Sequence, residues 1–363
     1  MSISDKRLVQ SQRAGRDTTQ QQAGRDVVNI TVNFSQAENY LATSREAVIA
    51  REHSDVAVGV ARQRVVPFDA ELVRVLSDRG LLEAFADPAV QRLMTASRIE
   101  AASTERDDDR HRLVELVAGR AQSGDRAIRA AVSRAVAVVD DIDEEALRNL
   151  TYVIGGGMFA QAYYSLDLSL DRWEERLALI PPCQPRGLRW YEHLDSLGLI
   201  RHTTAGVQKF KPLREWMAGW GASYFAVGLP NAEALSVIAE CQELVPEVNL
   251  PLTPHELKPD FARCFYAKRE QVEEHFRKQP AATAHVDALT NLVAESFLSR
   301  GDDHSPGPFD EAVQRRVHLA SWASTRSTLP HPVTATDVGK TIVWAELRRL
   351  GDVSLSLEKA LDS

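Results

Sequence analysis

Residues 187–211 read GLRWYEHLDSLGLIRHTTAGVQKFK, and this stretch contains a helix signal followed by two strand signals. Trp190, Leu194 and Leu197 recur at helical spacing. Gly198 comes next, and glycine often ends a helix because it adopts the left-handed conformation readily. The apolar residues after this glycine and those at the end of the stretch flank a Thr-Ala-Gly turn, which predicts two short paired strands.

This order of elements resembles the end of a winged helix-turn-helix unit, placed near the middle of the chain. Residues 186–214 also carry more basic than acidic side chains. The basic side chains that could contact nucleic acid are Arg186, Arg189, Arg201, Lys209 and Lys211. A wing would use such residues on phosphate groups, but small winged-helix units also serve as protein-contact modules. Both interpretations stay open.

Helical periodicity dominates most of the remaining sequence, so the predicted fold is mainly α. A helix is expected to begin at Ser35, and Pro67 is expected to interrupt the helical pattern. The prolines at 181–182 mark a soft boundary. We therefore predict a helical domain over 35–180, and a winged-helix-like unit with C-terminal helices over 186–363.

Residues 1–34 form a separate segment, in which the nine-residue unit QRAGRDTTQ is followed by the related unit QQAGRDVVN. From Val28 to Phe34, a stretch that includes the end of the second unit, apolar and polar residues alternate, and this is a strand pattern. The segment is therefore predicted as a short β-repeat that mediates oligomerisation. The residues expected to hold the subunits together are Val27, Val28, Asn29, Ile30, Val32 and Phe34.

Three interpretations of the repeat are open. Nonapeptide repeats that bind Ca²⁺ carry G-G-x-G-x-D, whereas each unit here offers only Gly-x-Asp. A disordered polar tail is the second interpretation. The third, which we favour, is β-structure completed by other copies of the chain, because such repeats generally need about three or more units to be stable.

No residue pattern predicts a metal or a cofactor. Gly-Lys-Thr at 339–341 lacks the earlier glycine of a phosphate-binding loop, since Thr334 occupies that position, and no strand is expected before it. We interpret this stretch as the start of an amphipathic helix, and the glycines at 155–157 as a helix break or close-packing point. The Asp and His residues at 107–111 and 302–304 are interpreted as solvated charge runs.

No catalytic residue is predicted either. Cys183, Cys241 and Cys264 lack a C-x-x-C spacing, and we expect free thiols in helices. One of these helices is predicted over 261–278. There is no G-x-S-x-G motif, although residues distant in sequence could still assemble a site in the fold.

Composition and charge narrow the classes of protein further. The chain has 363 residues, a formal net charge of −8 and a pI of about 5.7. This balance argues weakly against binding of the whole protein to nucleic acid or to an anionic membrane, both of which attract positive charge. The N-terminus has no apolar signal segment, and no apolar stretch is long enough to span a bilayer. We therefore expect a cytoplasmic protein without membrane contact.

Several short phrases together resemble one family of uncharacterised bacterial proteins. These phrases are QAGRDVVNI at 22–30, DPAVQ at 87–91, QSGD at 122–125, LT at 150–151 and LDSLGLI at 194–200. The resemblance implies a helical body behind a β-repeat leader. Similar leaders occur on bacterial proteins of conflict or defence systems, and the family brings no catalytic residues.

These observations favour a non-enzymatic, self-assembling protein. The repeat at 1–34 would mediate homo-oligomerisation, and the helical body would bind an unidentified protein partner. The alternative is a DNA-binding regulator that uses residues 186–214. A hydrolase whose site is assembled from distant residues is a third hypothesis, which no feature of the sequence favours.

Overall fold

The computed structural model describes residues 45–202, 210–301, 307–329 and 332–362, and these residues are mainly helical. The fold class predicted from the periodicity is confirmed at this level. The β-repeat predicted over 1–34 lies outside the described residues.

The chain divides into two compact units, the first ending at Gln122 and the second beginning at Ser123. This division falls between two helices, where no domain boundary is predicted from the sequence. The three-part division at residue 34 and at 181–186 stays a prediction.

The first unit contains three helices that pack against one another in pairs. They are α1 Arg45–Asp78, α2 Pro88–Ser103 and α3 Asp107–Gln122, with a 3-10 turn at Leu82–Ala86. Their core includes Phe68, Leu72, Leu76, Leu93, Met94, Leu113, Leu116 and Val117. Asp87 caps α2 by accepting a hydrogen bond from the backbone N–H of Ala89 at 2.8 Å.

The predicted interruption at Pro67 is wrong, because α1 runs through this proline. A proline inside a helix removes one backbone hydrogen bond, and it leaves the carbonyl group four residues earlier without its usual donor. That residue is Gln63, and both Gln63 and Pro67 are exposed, so water can hydrate the carbonyl group. The burial of Phe68 and the residues after it stabilises the helix beyond the proline.

The charge run at 107–111 is not uniformly solvated as predicted, because Asp109 is completely buried. Its carboxylate accepts hydrogen bonds from Thr104 Oγ1 at 2.7 Å and from Arg106 Nε at 2.6 Å, and it also pairs with Arg112. Asp109 therefore joins the end of α2 to the first turn of α3.

The second unit begins with two helices, and the second of them continues into a π-helical turn. α4 spans Arg126–Val136, and α5 Glu144–Leu150 continues through the π turn Thr151–Gly155 into a last turn at Gly156–Met158. The next elements are α6 Leu166–Leu177, α7 Arg189–Ser196, β1 Ile200–His202, α8 Leu213–Gly221 and a 3-10 turn at Ala222–Phe225.

The middle of this unit has its own small sheet and apolar cluster. β2 Leu229–Pro230, β3 Leu252–Pro254 and β4 Phe261–Cys264 form an antiparallel sheet with β4 in the centre. The helical elements are α9 Asn231–Leu244, α10 Arg269–Arg277, a 3-10 turn Pro280–His285, α11 Val286–Val293 and a π turn Ala294–Leu298.

The single helix predicted over 261–278 is therefore wrong. Its first residues are the central strand β4, and the helical part is α10 alone. β4 pairs on both sides, and pairing with distant strands stabilises it in the extended conformation.

The last elements of the chain pack against the first elements of the second unit. They are α12 Gly307–Gln314, α13 Val317–Thr328, β5 Val333–Ala335, α14 Asp337–Arg349 and α15 Leu357–Asp362. β5 pairs antiparallel with β1, so that Ile200 faces Ala335 and Arg201 faces Thr334.

The helix and the glycine stop predicted near residue 198 are confirmed. Gly198 has a φ of 71°, its N–H donates to Asp195 O, and the N–H of Leu199 donates to Leu194 O. These two bonds form a Schellman motif at the end of α7. The first predicted strand is β1, which pairs with β5. The second predicted strand lies largely outside the described residues, and its last two, Phe210 and Lys211, are not in a strand.

Candidate functional site

The glycines at 155–157 provide a surface on which two tryptophans pack. A Cβ atom built on Gly156 would lie 2.2 Å from Nε1 of Trp322, so glycine is needed for this ring to reach the backbone. The Trp322 indole donates to the carbonyl oxygen of Tyr152 at 2.9 Å, and Trp173 Nε1 donates to that of Gly156 at 2.7 Å. The glycine triplet is therefore a close-packing point.

Four tryptophans form one cluster beside these glycines. They are Trp173, Trp216, Trp220 and Trp322, and their interacting ring centroids lie 5.1 to 6.2 Å apart. Tilted and edge-to-face pairs at such distances attract one another beyond the burial of their area. Because the rings come from α6, α8 and α13, the cluster holds three helices together.

Arg326 lies at the edge of this cluster, one helical turn after Trp322, and is only 9% exposed. Its guanidinium carbon is 4.6 Å from the ring centroid of Phe210, 5.2 Å from that of Trp216 and 5.9 Å from that of Trp322. Its Nη1 donates to the carbonyl oxygen of Lys211 at 2.7 Å. Burial lowers the pKa of Arg326 to about 10, so this side chain is still charged at neutral pH.

A cavity of about 280 Å³ opens beside Arg326. Its apolar wall includes Val153, Ile154, Met158, Phe210, Trp216 and Trp322. Its polar lining includes Arg326, Thr334 and Lys340. A pocket of this kind can bind a ligand that has an apolar body and a group complementary to a cation.

Two of the basic residues predicted from the sequence lie near this cavity. Arg201 is exposed and faces Thr334 across the β1–β5 pair, and side chains directly opposite in an antiparallel pair share one face of the sheet. Lys211 is exposed, and its backbone carbonyl holds Arg326. The cavity therefore has basic residues beside it as well as in its lining.

The other predicted basic residues are placed differently. Arg186 and Arg189 are exposed in the segment that leads into α7 and at its first residue. Arg214, which adds to the basic charge of 186–214, lies over the ring of Phe225 at 4.8 Å. Lys209 lies outside the described residues, as do the oligomerisation residues from Val27 to Phe34.

Sequence reasoning missed the main parts of the cavity, because Trp216 and Arg326 are more than one hundred residues apart. A local signal exists on each helix. Trp216 and Trp220 are four residues apart, as are Trp322 and Arg326, so each pair lies on one helical face. The fold alone brings these two faces together.

A second buried polar cluster surrounds Arg263, which is fully buried on β4. Its guanidinium donates two hydrogen bonds of 2.8 Å to Glu256 and one of 3.0 Å to Tyr164 O, and it lies 5.0 Å from the ring centroid of Tyr224. Glu256 in turn accepts a hydrogen bond from the N–H of Leu166 at 2.9 Å. The cluster therefore fixes the loop before α6 against the small sheet.

Opposing effects act on the Glu256 carboxyl. Burial raises its pKa, but the hydrogen bonds and the charge of Arg263 outweigh burial, and the net result is a lowered pKa. The carboxylate is thus ionised and paired with a guanidinium at neutral pH.

The three cysteines are free thiols, as predicted, but only Cys241 lies in a helix. Cys264 lies on β4, and Cys183 lies between α6 and α7. Burial raises the pKa of Cys183 to about 12 and the pKa values of Cys241 and Cys264 to about 11. A thiol with such a pKa is protonated at neutral pH and reacts poorly as a nucleophile.

The Gly-Lys-Thr stretch lies near the start of α14, as predicted, but the expectation that no strand precedes it is wrong, since β5 does. The side chain of Thr336 caps the helix by accepting from the N–H of Gly339 at 3.1 Å. A Cβ atom on Gly339 would lie 2.0 Å from Leu199 O. This glycine is needed for the close approach of β1.

Charged side chains also surround an open depression on α10. Its lining comes from this helix and the residue that follows it, and includes Glu270, Glu273, Glu274, Arg277 and Lys278. Lys278 pairs with Glu274 at 2.8 Å, four residues earlier on the same face. These are ion pairs along a solvent-exposed helix surface.

No three His, Cys, Asp or Glu side chains converge in a way that could hold a metal ion within the described residues. The Asp and His residues at 302–304 are not among them. No helix in the described part of the chain combines the length and apolarity that crossing a membrane requires.

No curated protein and no solved structure matches the chain. A model of an uncharacterised protein family matches residues 49–304, which is well over half of the chain. The matched region includes Gly157 and Trp216 of the cavity, whereas Trp322 and Arg326 follow it, and the N-terminal repeat precedes it. The chain therefore belongs to this uncharacterised family, through the region from residue 49 to residue 304.

Proposed function

We propose that the chain is a non-enzymatic, self-assembling cytoplasmic protein whose N-terminal segment 1–34 mediates homo-oligomerisation and whose helical body binds a protein partner. The observation that carries this proposal is the exposed first half of α1, the helix that follows the repeat.

This half of α1 extends beyond the helices that pack against the other half. α1 has 34 residues and α2 and α3 have 16 each, which corresponds to lengths of about 51 Å and about 24 Å. Arg64 Nη1 donates to the carbonyl oxygen of Ser103, the last residue of α2, at 2.8 Å. The residues before Arg64 therefore run past the end of α2.

The extended half carries apolar side chains that nothing in the described chain buries. Ile49, Val56 and Val60 are separated by seven and four residues, so they share one helical face. Val56 is 64% exposed and Ile49 is 44% exposed. An unpartnered apolar stripe on a long helix is typical of helices that associate with another helix. A second copy of the chain fits this surface, because the adjacent repeat is predicted to pair with other copies.

Light scattering after size-exclusion chromatography tests the proposal. We expect the full-length chain to be oligomeric and Val27→Asp with Ile30→Asp to lower its mass. Val56→Glu with Val60→Glu should weaken the oligomer as well. Val353→Glu is a matched control, since Val353 is 76% exposed in the second unit. A monomeric full-length chain, or an unchanged mass in both double variants, would refute the proposal.

We also place the protein in a bacterial conflict or defence system. This part of the proposal rests on the resemblance of the QAGRD-V-N phrase at 22–30 to the leaders of such proteins. The helical body would then bind a protein of the same system. Loss of the defence phenotype on deletion of residues 1–34, with the body still folded, is the expected result. An unaffected phenotype would contradict it.

A second candidate function is DNA binding through 186–214, and the position of Arg201 favours it. Arg201 is exposed on the β1–β5 pair beside a cavity that already contains Arg326 and Lys340. We expect salt-dependent binding to duplex DNA that Arg201→Glu with Lys209→Glu abolishes, whereas Arg300→Glu retains it. Absence of binding at low salt would rule this function out.

A further inference from the structure

Among the described residues that line the cavity, no carboxylate neutralises the charge of Arg326. Burying a guanidinium costs free energy unless an anion or hydrogen-bond acceptors compensate. Among the described residues, the structure gives Arg326 one backbone acceptor, Lys211 O, and three aromatic rings. Burial lowers the pKa of this group, and the described residues that line the cavity include no carboxylate.

The Arg326 guanidinium has more N–H donors than its hydrogen bond to Lys211 O uses. Arginine carries five N–H groups in a planar fork that matches the two oxygens of a carboxylate or phosphate. One Nη atom of Arg326 donates to Lys211 O. A second cation, Lys340, lines the same cavity, and its ammonium group is anchored to Leu361 O at 2.8 Å. No Asp or Glu is among the described residues that line it.

The rest of the lining is apolar and favours a ligand whose uncharged part is apolar or aromatic. Phe210, Trp216 and Trp322 contribute aromatic rings, and Val153, Ile154 and Met158 contribute aliphatic groups. The volume of about 280 Å³ is near the lower limit of ligand pockets. The ligand must therefore be small, flat or apolar at one end, and negatively charged at the other.

We infer that this cavity binds a small organic oxyanion, a carboxylate or phosphate monoester attached to an aromatic or apolar body. The oxyanion pairs with Arg326 and is attracted by Lys340, while the body lies against the tryptophans. This inference goes beyond the proposed self-assembly and does not depend on it, because every residue involved lies in the second unit.

Calorimetry and tryptophan fluorescence on the full chain test the inference with four probes. Phenylacetate and phenyl phosphate carry both features of the ligand, benzyl alcohol lacks the charge, and inorganic phosphate lacks the ring. We expect at least one of the first two to bind at least about tenfold more tightly than either control. The preferred probe identifies the oxyanion. No binding by either aromatic anion up to about 10 mM, or equal binding of benzyl alcohol, would overturn the inference.

Variants identify the site of binding. Arg326→Gln should weaken binding of the aromatic anion at least about tenfold, whereas Arg172→Gln, on an exposed surface of the same unit, should leave it unchanged. Equal affinity in a folded Arg326→Gln variant would overturn the assignment.

A pair of glycine variants keeps the test informative if Arg326→Gln does not fold. Gly157 lines the cavity, and a Cβ atom there would meet Trp322 at an ordinary 3.9 Å. Gly157→Ala should therefore bind normally, and Gly157→Leu should block the cavity and abolish binding. Unchanged binding in a folded Gly157→Leu variant would place the ligand elsewhere.

Discussion

Gly156 and Gly157 are neighbours in the sequence, but the space around their α-carbons differs. A Cβ atom on Gly156 would collide with the Trp322 indole at 2.2 Å, whereas one on Gly157 would meet the same ring at 3.9 Å. In the sequence the three glycines are indistinguishable. In the structure, the position of the Trp322 ring leaves room for a Cβ atom on Gly157 but not on Gly156.

We predict that Gly156→Ala destabilises the protein by about 1–3 kcal/mol, the usual range for overpacking a core. Gly157→Ala should be neutral or stabilising by up to about 1 kcal/mol, because alanine favours a helix. Urea denaturation measured by fluorescence compares the two variants. Equal stabilities would show that Trp322 does not pack on Gly156.

Burial keeps the ring of His255 in its neutral form. The ring is buried, with Nε2 2.8 Å from Ala226 O, and Nδ1 accepts from the N–H of Leu257 at 3.2 Å. Because both contacts are satisfied by a neutral ring with its proton on Nε2, protonation of Nδ1 would disrupt one of them. Burial, with smaller effects from Arg263 and Lys258, lowers the pKa of His255.

A pH dependence of stability follows from this lowered pKa. Below the unfolded-state pKa of about 6.5, the unfolded chain binds a proton that the folded state excludes. Stability should therefore fall as the pH drops from about 7 toward 5, by at most about 1.4 kcal/mol per pH unit from this group. Urea unfolding at several pH values should show a shallower fall for His255→Gln, and parallel curves would argue against the assignment.

At the scale of elements, the first turn of α3 contains acidic side chains that differ in how deeply they are buried. Asp107 and Asp109 both belong to the first turn of α3. The side chain of Asp107 is 77% exposed and that of Asp109 is 0% exposed. Asp109 also reaches Thr104 at the end of α2, so it connects two helices rather than capping one.

We predict that Asp109→Ala costs about 3–5 kcal/mol, because Arg106 and Arg112 lose a buried anionic partner. The matched variant Asp107→Ala should cost less than about 1 kcal/mol, as expected for an exposed charge in a first helical turn. Thermal unfolding followed by circular dichroism measures both. Similar losses in the two variants would show that burial does not set the strength of these interactions.

Two elements show which structures local sequence patterns predict correctly and which they do not. The spacing of Trp190, Leu194 and Leu197 with the glycine after them predicted α7 and its end correctly, because these signals are local. Helical periodicity also predicted a helix that includes residues 261–264, but these residues form β4. A strand of four residues is stabilised by the two strands that pair with it. The sequence of β4 itself does not show where these two strands lie.

For the whole molecule, the distribution of tryptophan distinguishes the two units. All six tryptophans lie in the second unit, from Trp173 to Trp344. Tryptophan fluorescence therefore reports on this unit alone, whereas circular dichroism reports on the helices of both. The oligomer proposal and the cavity proposal also concern different units, so each can fail without the other.

We predict that the fragment 123–363 folds by itself and retains the emission spectrum and the fluorescence-monitored unfolding transition of the full chain. The physical reason is that a compact unit with its own core can fold alone. Fluorescence and circular dichroism of both proteins provide the comparison. A red-shifted spectrum typical of exposed tryptophan in the fragment would contradict the prediction.

The sequence by itself determined the helical class of this protein, the end of α7 at Gly198 and the presence of a strand after it. Each depends on residues within a few positions of one another, where periodicity and glycine conformation act directly. Only the tertiary structure decided that β1 pairs with β5, that Asp109 is buried and that Arg326 meets Trp216 beside a cavity. These contacts join residues from separate elements. Burial and strand pairing depend on how the elements pack against one another, which the sequence of either segment does not show.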